Sequence, residues 1–178
     1  MNRKIIYYVA SSLDGFIAGP NENISGFVPE GPGVDQYLED LKEFDTVIMG
    51  RKTYEFGYQF GLKPGMPAYP HMQHYIFSSS LQLEQAHPKV QVRPVDLPFI
   101  QALKAETGTP IYLCGGGAFA GYLLENELID ELKIKLNPLI LGDGIRLFGE
   151  SKKSYQLQLI ESQQFADGLL INSYDLIY

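Results

Sequence analysis

Short, continuous apolar runs recur along the first two thirds of the chain, and amphipathic segments separate them. The runs are typical of strands buried on both faces, and they lie at 5–10, 46–49, 74–77 and 111–114. Apolar residues at helical spacing predict helices at 34–44, 54–60, 97–106 and 118–126. Strands and helices that alternate in this way predict an α/β fold with a mainly parallel sheet.

The last third of the chain has a different pattern. Residues 131–136 alternate cleanly between polar and apolar side chains, and residues 156–160 alternate again. Asp167-Gly168 is a hairpin signal before the apolar stretch 169–178. We therefore expect antiparallel strands to complete the sheet. Without a repeat, a low-complexity segment or a linker, residues 1–178 are predicted to form one domain.

Residues 11–33 are rich in Gly, Pro and Asn and are predicted to form one long loop. Long loops in compact domains are often functional. Ligands of parallel sheets bind outside the carboxyl ends of the strands. The loops after Ala10, Met49, Phe77 and Cys114 are therefore expected to converge on a ligand.

Composition narrows the classes of partner. The formal net charge of −7 disfavours binding to nucleic acid, which needs a clustered basic face. The single cysteine, Cys114, cannot form an internal disulfide. The first apolar run is too short for a signal sequence or a membrane span, so we expect a cytoplasmic protein without a membrane partner. His71 and His74 lack a third ligand pattern, so no metal site is expected.

Three consecutive glycines, Gly115, Gly116 and Gly117, lie between a predicted strand and a predicted helix. Such a turn lets a phosphate approach the free N–H groups at the start of the helix. Three interpretations remain open: a plain tight turn, a Rossmann fingerprint ending at Ala120, or another nucleotide-binding architecture. The Rossmann interpretation is the weakest, because that fingerprint normally belongs to the first strand-helix unit.

Two other strand ends carry phosphate-binding chemistry. Gly50, Arg51, Lys52 and Thr53 combine a glycine turn with positive charge and a hydroxyl group. The serines at 78–80 follow another predicted strand and supply further hydroxyls and amides. Each motif alone also fits an ordinary surface turn, so the prediction of a phosphate site depends on their combination.

Four segments resemble, in order, the dihydrofolate-reductase fold; they lie at 8–18, 47–55, 76–79 and 111–117. The motif S-L-D-G-x-I-A at 12–18 is similar to the reductase domain that forms the C-terminal part of bacterial riboflavin-biosynthesis deaminase-reductases, and to its stand-alone relatives. The resemblance implies three layers: a mixed, mainly parallel sheet, helices on both faces and a C-terminal antiparallel hairpin.

The resemblance also implies a cofactor, NADPH, lying across the strand ends. Gly50, Arg51, Lys52 and Thr53 are then expected at the adenosine-side phosphates, and Ser78 and Ser79 near the 2′-phosphate. The pyrophosphate and nicotinamide side is expected to meet Gly115, Gly116, Gly117, Ala118 and Phe119, while Ala10 and Ile17 flank the nicotinamide ring.

The implied activity is hydride transfer to a pyrimidine- or pterin-type small molecule, as in 5-amino-6-(5-phosphoribosylamino)uracil reductase or a dihydrofolate-reductase-like enzyme. Asp14, beside the nicotinamide, and Asp35, near the start of the first helix, are the candidate proton donors. Phe16 departs from the family pattern, in which a lysine suited to the substrate's phosphate is common.

Two other hypotheses remain at this stage. A non-catalytic nucleotide-binding module would keep the cofactor cleft without a productive substrate pocket. A structural protein would use the Gly and Ser motifs only as turns. In either case the C-terminal strands, rich in Leu, Ile and Tyr, are expected to pair two subunits as a homodimer.

Overall fold

The computed structural model describes residues 2–178, and its centre is an eight-stranded sheet with the strand order β5-β4-β3-β6-β1-β7-β10-β9. The six strands from β5 to β7 are mutually parallel, and β10 and β9 continue the sheet as an antiparallel hairpin. The strands are β1 (Ile5–Ser11), β3 (Thr46–Gly50), β4 (Gln73–Phe77), β5 (Val90–Arg93), β6 (Ile111–Gly115), β7 (Glu131–Leu136), β9 (Gln156–Gln164) and β10 (Leu170–Ile177).

Helices cover both faces of this sheet. They are α1 (Pro32–Asp40), α2 (Arg51–Phe56), α3 (Leu97–Ala105) and α4 (Gly117–Glu125), and short 3-10 turns continue α1 and α2. Because side chains alternate along a strand, Tyr7 belongs to the core under α3 and α4 while Tyr8 belongs to the core under α1. Both tyrosines have no exposed surface. The expected arrangement of three layers is confirmed.

The segment at 11–33 differs from the single loop expected. It contains a short strand, β2 (Phe16–Ala18), which pairs with β8 (Ile145–Arg146) in a second, two-stranded sheet. Three residues are too few to show a period, and the pairing partner lies more than a hundred residues away. The prediction also ended the strand at 156–160 too early, because β9 continues to Gln164.

The register of the sheet brings several predicted positions together at its carboxyl edge. Ala10 of β1 is the Cα partner of Lys135 of β7. Met49 of β3 is the Cα partner of Gly115 of β6, next to an irregularity in the ladder. The glycine turn, the end of β1 and the end of β7 therefore lie along one edge, where α2 and α4 begin.

Candidate functional site

A cleft of about 520 Å³ opens at this edge between α2, α4 and the small sheet. Most of the expected cofactor-binding residues line it. Its lining includes Ile17, Gly50, Arg51, Lys52, Thr53, Gly116, Gly117, Ala118 and Phe119, together with the apolar Val9, Ala18, Ile24, Phe56 and Ile145. One end is therefore basic and rich in glycine, and one wall is apolar.

The three glycines of the turn differ in backbone conformation and in the space around them. Gly115 has a φ of +126°, which side chains rarely tolerate. Gly116 precedes α4 with φ −88° and ψ −169°, an ordinary extended conformation, and it faces the cleft. A Cβ on Gly117 would lie 2.0 Å from the carbonyl oxygen of Arg146. Gly116 has neither a positive φ nor a backbone atom within 4 Å of its Cβ position, where Thr53 Oγ1 lies at 3.0 Å.

Arg51 is held loosely at the rim of the cleft. Its Nη1 donates a hydrogen bond of 2.9 Å to Ser80 Oγ, and its Nε donates one of 2.9 Å to Glu55 Oε1. The Arg51 side chain is 46% exposed, so an anion can replace these partners at little cost. The predicted basic strand end and the serine loop therefore meet in space through Arg51.

The serines themselves stand apart from the cleft. Ser78 Oγ accepts hydrogen bonds from the N–H groups of Ser80 and Leu81, at 3.1 and 2.9 Å, and so stabilises the turn after β4. Ser79 is exposed. Neither residue lines the cleft, and their contact with a 2′-phosphate stays a prediction.

A second pocket of about 320 Å³ adjoins the first and shares Val9, Thr53, Phe56 and Cys114 with it. Ala10 lines this smaller pocket and not the larger cleft. The rest of its wall is mostly aromatic and comes from Tyr8, Tyr37, Met49, Tyr54, Gly57, Phe60, Leu62, Ala68, Tyr69, Tyr112 and Lys135. We call it the tyrosine pocket.

Hydrogen bonds join the polar ends of several of these side chains. The hydroxyls of Tyr37 and Tyr112 are 2.8 Å apart, and Tyr69 Oη lies 3.7 Å from Cys114 Sγ. Burial raises the pKa of all three tyrosines and of the Cys114 thiol above their ordinary values. The cluster is therefore uncharged at neutral pH.

A match to a protein-family model completes these observations. The model of the RibD C-terminal domain matches residues 3–171. The chain belongs to this family. In Bacillus subtilis strain 168, "Uncharacterized protein YwjB" is 32% identical over 175 residues, which cover 97% of this chain and 98% of that protein. "Uncharacterized protein YyaP" of the same strain is 27% identical over 176 residues, covering 94% and 92%.

Solved structures agree with membership of the RibD C-terminal domain family. A "Putative riboflavin biosynthesis protein" from Shewanella sp. PV-4 superposes with a TM-score of 0.80 at 26% identity and covers 100% of both chains. A diaminohydroxyphosphoribosylaminopyrimidine deaminase/5-amino-6-(5-phosphoribosylamino)uracil reductase from Thermotoga maritima gives a TM-score of 0.72 at 13% identity. The match covers 99% of this chain but 57% of that one. The predicted dihydrofolate-reductase-like fold is confirmed.

The two expected proton donors of this RibD C-terminal-domain protein lie outside both pockets. Asp14 is exposed and accepts hydrogen bonds from Ser12 Oγ and from the N–H groups of Leu141 and Gly142. The hydrogen bond from Ser12 is the largest cause that lowers the pKa of Asp14 to about 2. A carboxylate with this pKa suits the stabilisation of a turn better than proton donation. Asp35 is exposed in the first turn of α1. Their catalytic roles stay predictions.

Sequence reasoning missed Lys135, which lines the tyrosine pocket. Its side chain extends from β7, and its Nζ lies 4.4 Å from the centroid of the Tyr37 ring. The residue is 8% exposed, and burial lowers its pKa although Asp167 opposes the shift. The alternation at 131–136 indicated a strand, but nothing in it distinguished a buried lysine from a solvated one.

None of the helices in residues 2–178 is long and apolar enough to cross a membrane. Within the same residues, His, Cys, Asp and Glu side chains form no group of three or more that could hold a metal ion.

Proposed function

We propose that this protein is an NADPH-dependent reductase that transfers a hydride to a pyrimidine- or pterin-type ring compound. The observation that carries the proposal is the pair of adjoining pockets. The larger has a basic, glycine-rich end suited to phosphates, and the smaller has aromatic walls suited to a planar ring. Direct hydride transfer requires contact between the cofactor ring and the substrate, and two pockets that adjoin allow this contact.

In this proposal the phosphate groups lie at the end of the cleft formed by Arg51, Lys52 and the glycine turn. The N–H groups at the start of α4, a nine-residue helix, point towards this end and favour negative charge. The nicotinamide ring would be held where the two pockets adjoin, by Ile17 of the larger cleft and Ala10 of the smaller pocket. When bound, the reduced nicotinamide supplies the hydride.

The protein's own contribution is alignment and the exclusion of water. Val9, Phe56 and Ile145 form apolar surface around the proposed nicotinamide position. Apolar walls keep water away from the transferring hydride and hold the two rings in contact. The uncharged tyrosine and thiol cluster continues this dry surface into the smaller pocket.

Replacing Arg51 with Ala is expected to weaken NADPH binding about 10- to 100-fold, because hydrogen bonds to charged groups contribute about 1.5–3 kcal/mol. NADH, which lacks the 2′-phosphate, should lose much less. Both dissociation constants are measured by quenching of protein fluorescence. Lys42→Ala is the control, since it removes an exposed positive charge that follows α1. Equal losses for NADPH and NADH in Arg51→Ala would show that Arg51 does not read the 2′-phosphate.

We also propose that the protein is a homodimer paired through β9. This nine-residue edge strand has one neighbour in the sheet, β10, and it carries Leu157, Leu159 and Ile160 at 44%, 55% and 51% exposure. A second copy is the occupant that fits best, because an edge strand is complementary to itself across a two-fold axis.

Light scattering should therefore give twice the 20.0 kDa mass of the chain. Leu159→Lys, which places a charge in the middle of the edge, should give a monomer with an unchanged circular dichroism spectrum. Leu38→Lys is the matched control, since Leu38 is 54% exposed on α1. A wild-type monomer, or a Leu159→Lys dimer, would contradict the proposal.

A further inference from the structure

The tyrosine pocket has a marked shortage of charge. Among the residues that line it, Lys135 is the one with a formal charge at neutral pH, and no Asp or Glu lines it. Two of its tyrosine hydroxyls are committed elsewhere: Tyr54 donates to the carbonyl of Met66 at 2.8 Å, and Tyr8 donates to Asp40 at 2.9 Å. The pocket therefore offers flat apolar surface and few free hydrogen-bond donors.

Lys135 differs from its neighbour on the same face of β7. Lys133 forms an ion pair of 2.7 Å with Asp40. Within residues 2–178 no carboxylate forms an ion pair with Lys135, whose ammonium instead lies over the Tyr37 ring. Buried charges are normally paired, and an unpaired one marks a place where a partner is missing.

The position of Lys135 matches a role in the reaction. It is the Cα partner of Ala10, and both residues line the tyrosine pocket, which shares a wall with the cofactor cleft. A single ammonium satisfies one carbonyl or imine group. The lining of the tyrosine pocket contains no arginine and no second lysine, so it offers no further positive charge to balance a phosphate dianion.

We propose that the tyrosine pocket binds an unphosphorylated planar heterocycle, and that Lys135 hydrogen-bonds the carbonyl or imine group that is reduced, on the ring or on its substituent, and protonates it during reduction. This inference rests on the proposed NADPH-dependent reductase function and specifies its substrate class and proton donor. It differs from the phosphoribosyl compound in the name of the Thermotoga maritima reductase.

The proposed step is balanced. The C–H bond at C4 of the reduced nicotinamide breaks, and its hydride forms a new C–H bond at the electrophilic carbon of the substrate. The π electrons of the C=O or C=N bond move to the heteroatom, which takes a proton from the Lys135 ammonium. The products are the oxidised nicotinamide, the reduced substrate and a neutral lysine, which regains its proton from water.

Binding tests the pocket without turnover. Pteridine-2,4-dione, a fluorescent planar ring with two carbonyl groups, is titrated into the protein in the presence of saturating NADP⁺. Lys135→Met keeps the length and apolar stem of the side chain, and it should weaken binding of the ring about tenfold, the loss of one charged hydrogen bond. Lys153→Met, which removes an exposed charge near the end of α4, should bind like the wild type.

The outcomes separate this inference from the proposed function. NADPH affinity and melting temperature are measured on each variant first. In Lys135→Met the NADPH affinity should be unchanged, because Lys135 does not line the larger cleft, and the melting temperature should not fall, because the change removes a buried charge without an ion-pair partner. If the wild type does not bind NADPH, the proposed reductase function is contradicted. Normal NADPH binding with no binding of the ring, or equal binding by wild type and Lys135→Met, overturns the assignment of the pocket alone.

Turnover tests the proton donor. NADPH oxidation is followed with 5-amino-6-(ribosylamino)uracil and with its 5′-phosphate, two compounds that differ only in the phosphate. The wild type should show the higher kcat/KM on the unphosphorylated compound, and Lys135→Met should lower its kcat about 100-fold. Preference for the phosphate, or no NADPH oxidation with the unphosphorylated compound, overturns the substrate class.

The pH profile distinguishes a proton donor from a residue that only shapes the pocket. The wild-type kcat should fall as pH rises through a pKa below that of an ordinary lysine, and this decline should be absent from Lys135→Met. The ionisable groups that face Lys135 are Tyr37 of α1, Cys114 and Tyr112 of β6, Lys133 of β7 and Asp167 of the β9–β10 turn. The same decline in both proteins would overturn the role of Lys135 as proton donor.

Discussion

Replacing Gly116 with Val should weaken NADPH binding about 100-fold or more in a protein that still folds. The φ of −88° and the ψ of −169° at Gly116 lie in the extended region that any residue adopts. A Cβ there would meet one neighbouring atom within 4 Å, Thr53 Oγ1 at 3.0 Å, and the Thr53 side chain must shift by a few tenths of an ångström to relieve the contact. The two methyl groups of valine would then occupy the cleft beside the start of α4, where the phosphates are proposed to lie.

The expected loss is about 100-fold or more in the NADPH dissociation constant, because the ligand must either shift away from the N–H groups of the turn or displace the new side chain. Fluorescence titration measures the constant, and circular dichroism checks the fold. Gly116→Ala should give an intermediate loss. Unchanged NADPH affinity in a folded Gly116→Val protein would show that the cofactor does not approach this turn.

For the glycine triplet, the local sequence pattern predicts the position of the turn but not the role of each glycine. Its place between a strand and a helix follows from the apolar run that precedes it and the helical spacing that follows. The sequence does not reveal that the two glycines have different constraints. The Arg146 backbone leaves no room for a side chain on Gly117, whereas Gly116 lies at the edge of the cleft. That difference depends on β8, a two-residue strand with no recognisable pattern of its own.

The glycine-rich cleft was easier to predict than the tyrosine pocket. Arg51, Lys52 and Thr53 are consecutive residues at one strand end, so their shared chemistry is visible along the chain. The tyrosine pocket is assembled from separate elements: Tyr37 comes from α1, and Tyr112 from β6. A tyrosine in an amphipathic helix and one in a buried strand each fit an ordinary core, and only the fold places their hydroxyls 2.8 Å apart.

Asp14 and Lys135 show the same limit of sequence-based prediction. Asp14 belongs to a motif that carries the family resemblance, and that favoured a chemical role. The fold instead gives it three hydrogen-bond donors across a turn, where it ties 12–15 to 139–142. Lys135 belongs to no motif, yet the register of β1 and β7 brings it next to Ala10 and into the pocket.

Gly117→Ala should lower the free energy of unfolding. The added Cβ would lie 2.0 Å from the carbonyl oxygen of Arg146 and 3.2 Å from the backbone nitrogen of Gly149. Neither atom belongs to a flexible side chain, so α4 must move away from residues 146–149. Overpacking of this kind costs about 1–3 kcal/mol and sometimes more, and we expect a value near the upper end.

The melting temperature should therefore fall by roughly 6–12 °C, the shift expected for about 3 kcal/mol in a chain of this size. Gly116→Ala is the matched control, because it adds the same methyl group one residue earlier and meets only the Thr53 hydroxyl. Gly121, one turn along α4, has a Cβ position 2.2 Å from the Phe148 carbonyl oxygen, so Gly121→Ala should reproduce the loss. Wild-type melting temperatures in both variants would contradict the packing of α4 against 146–149.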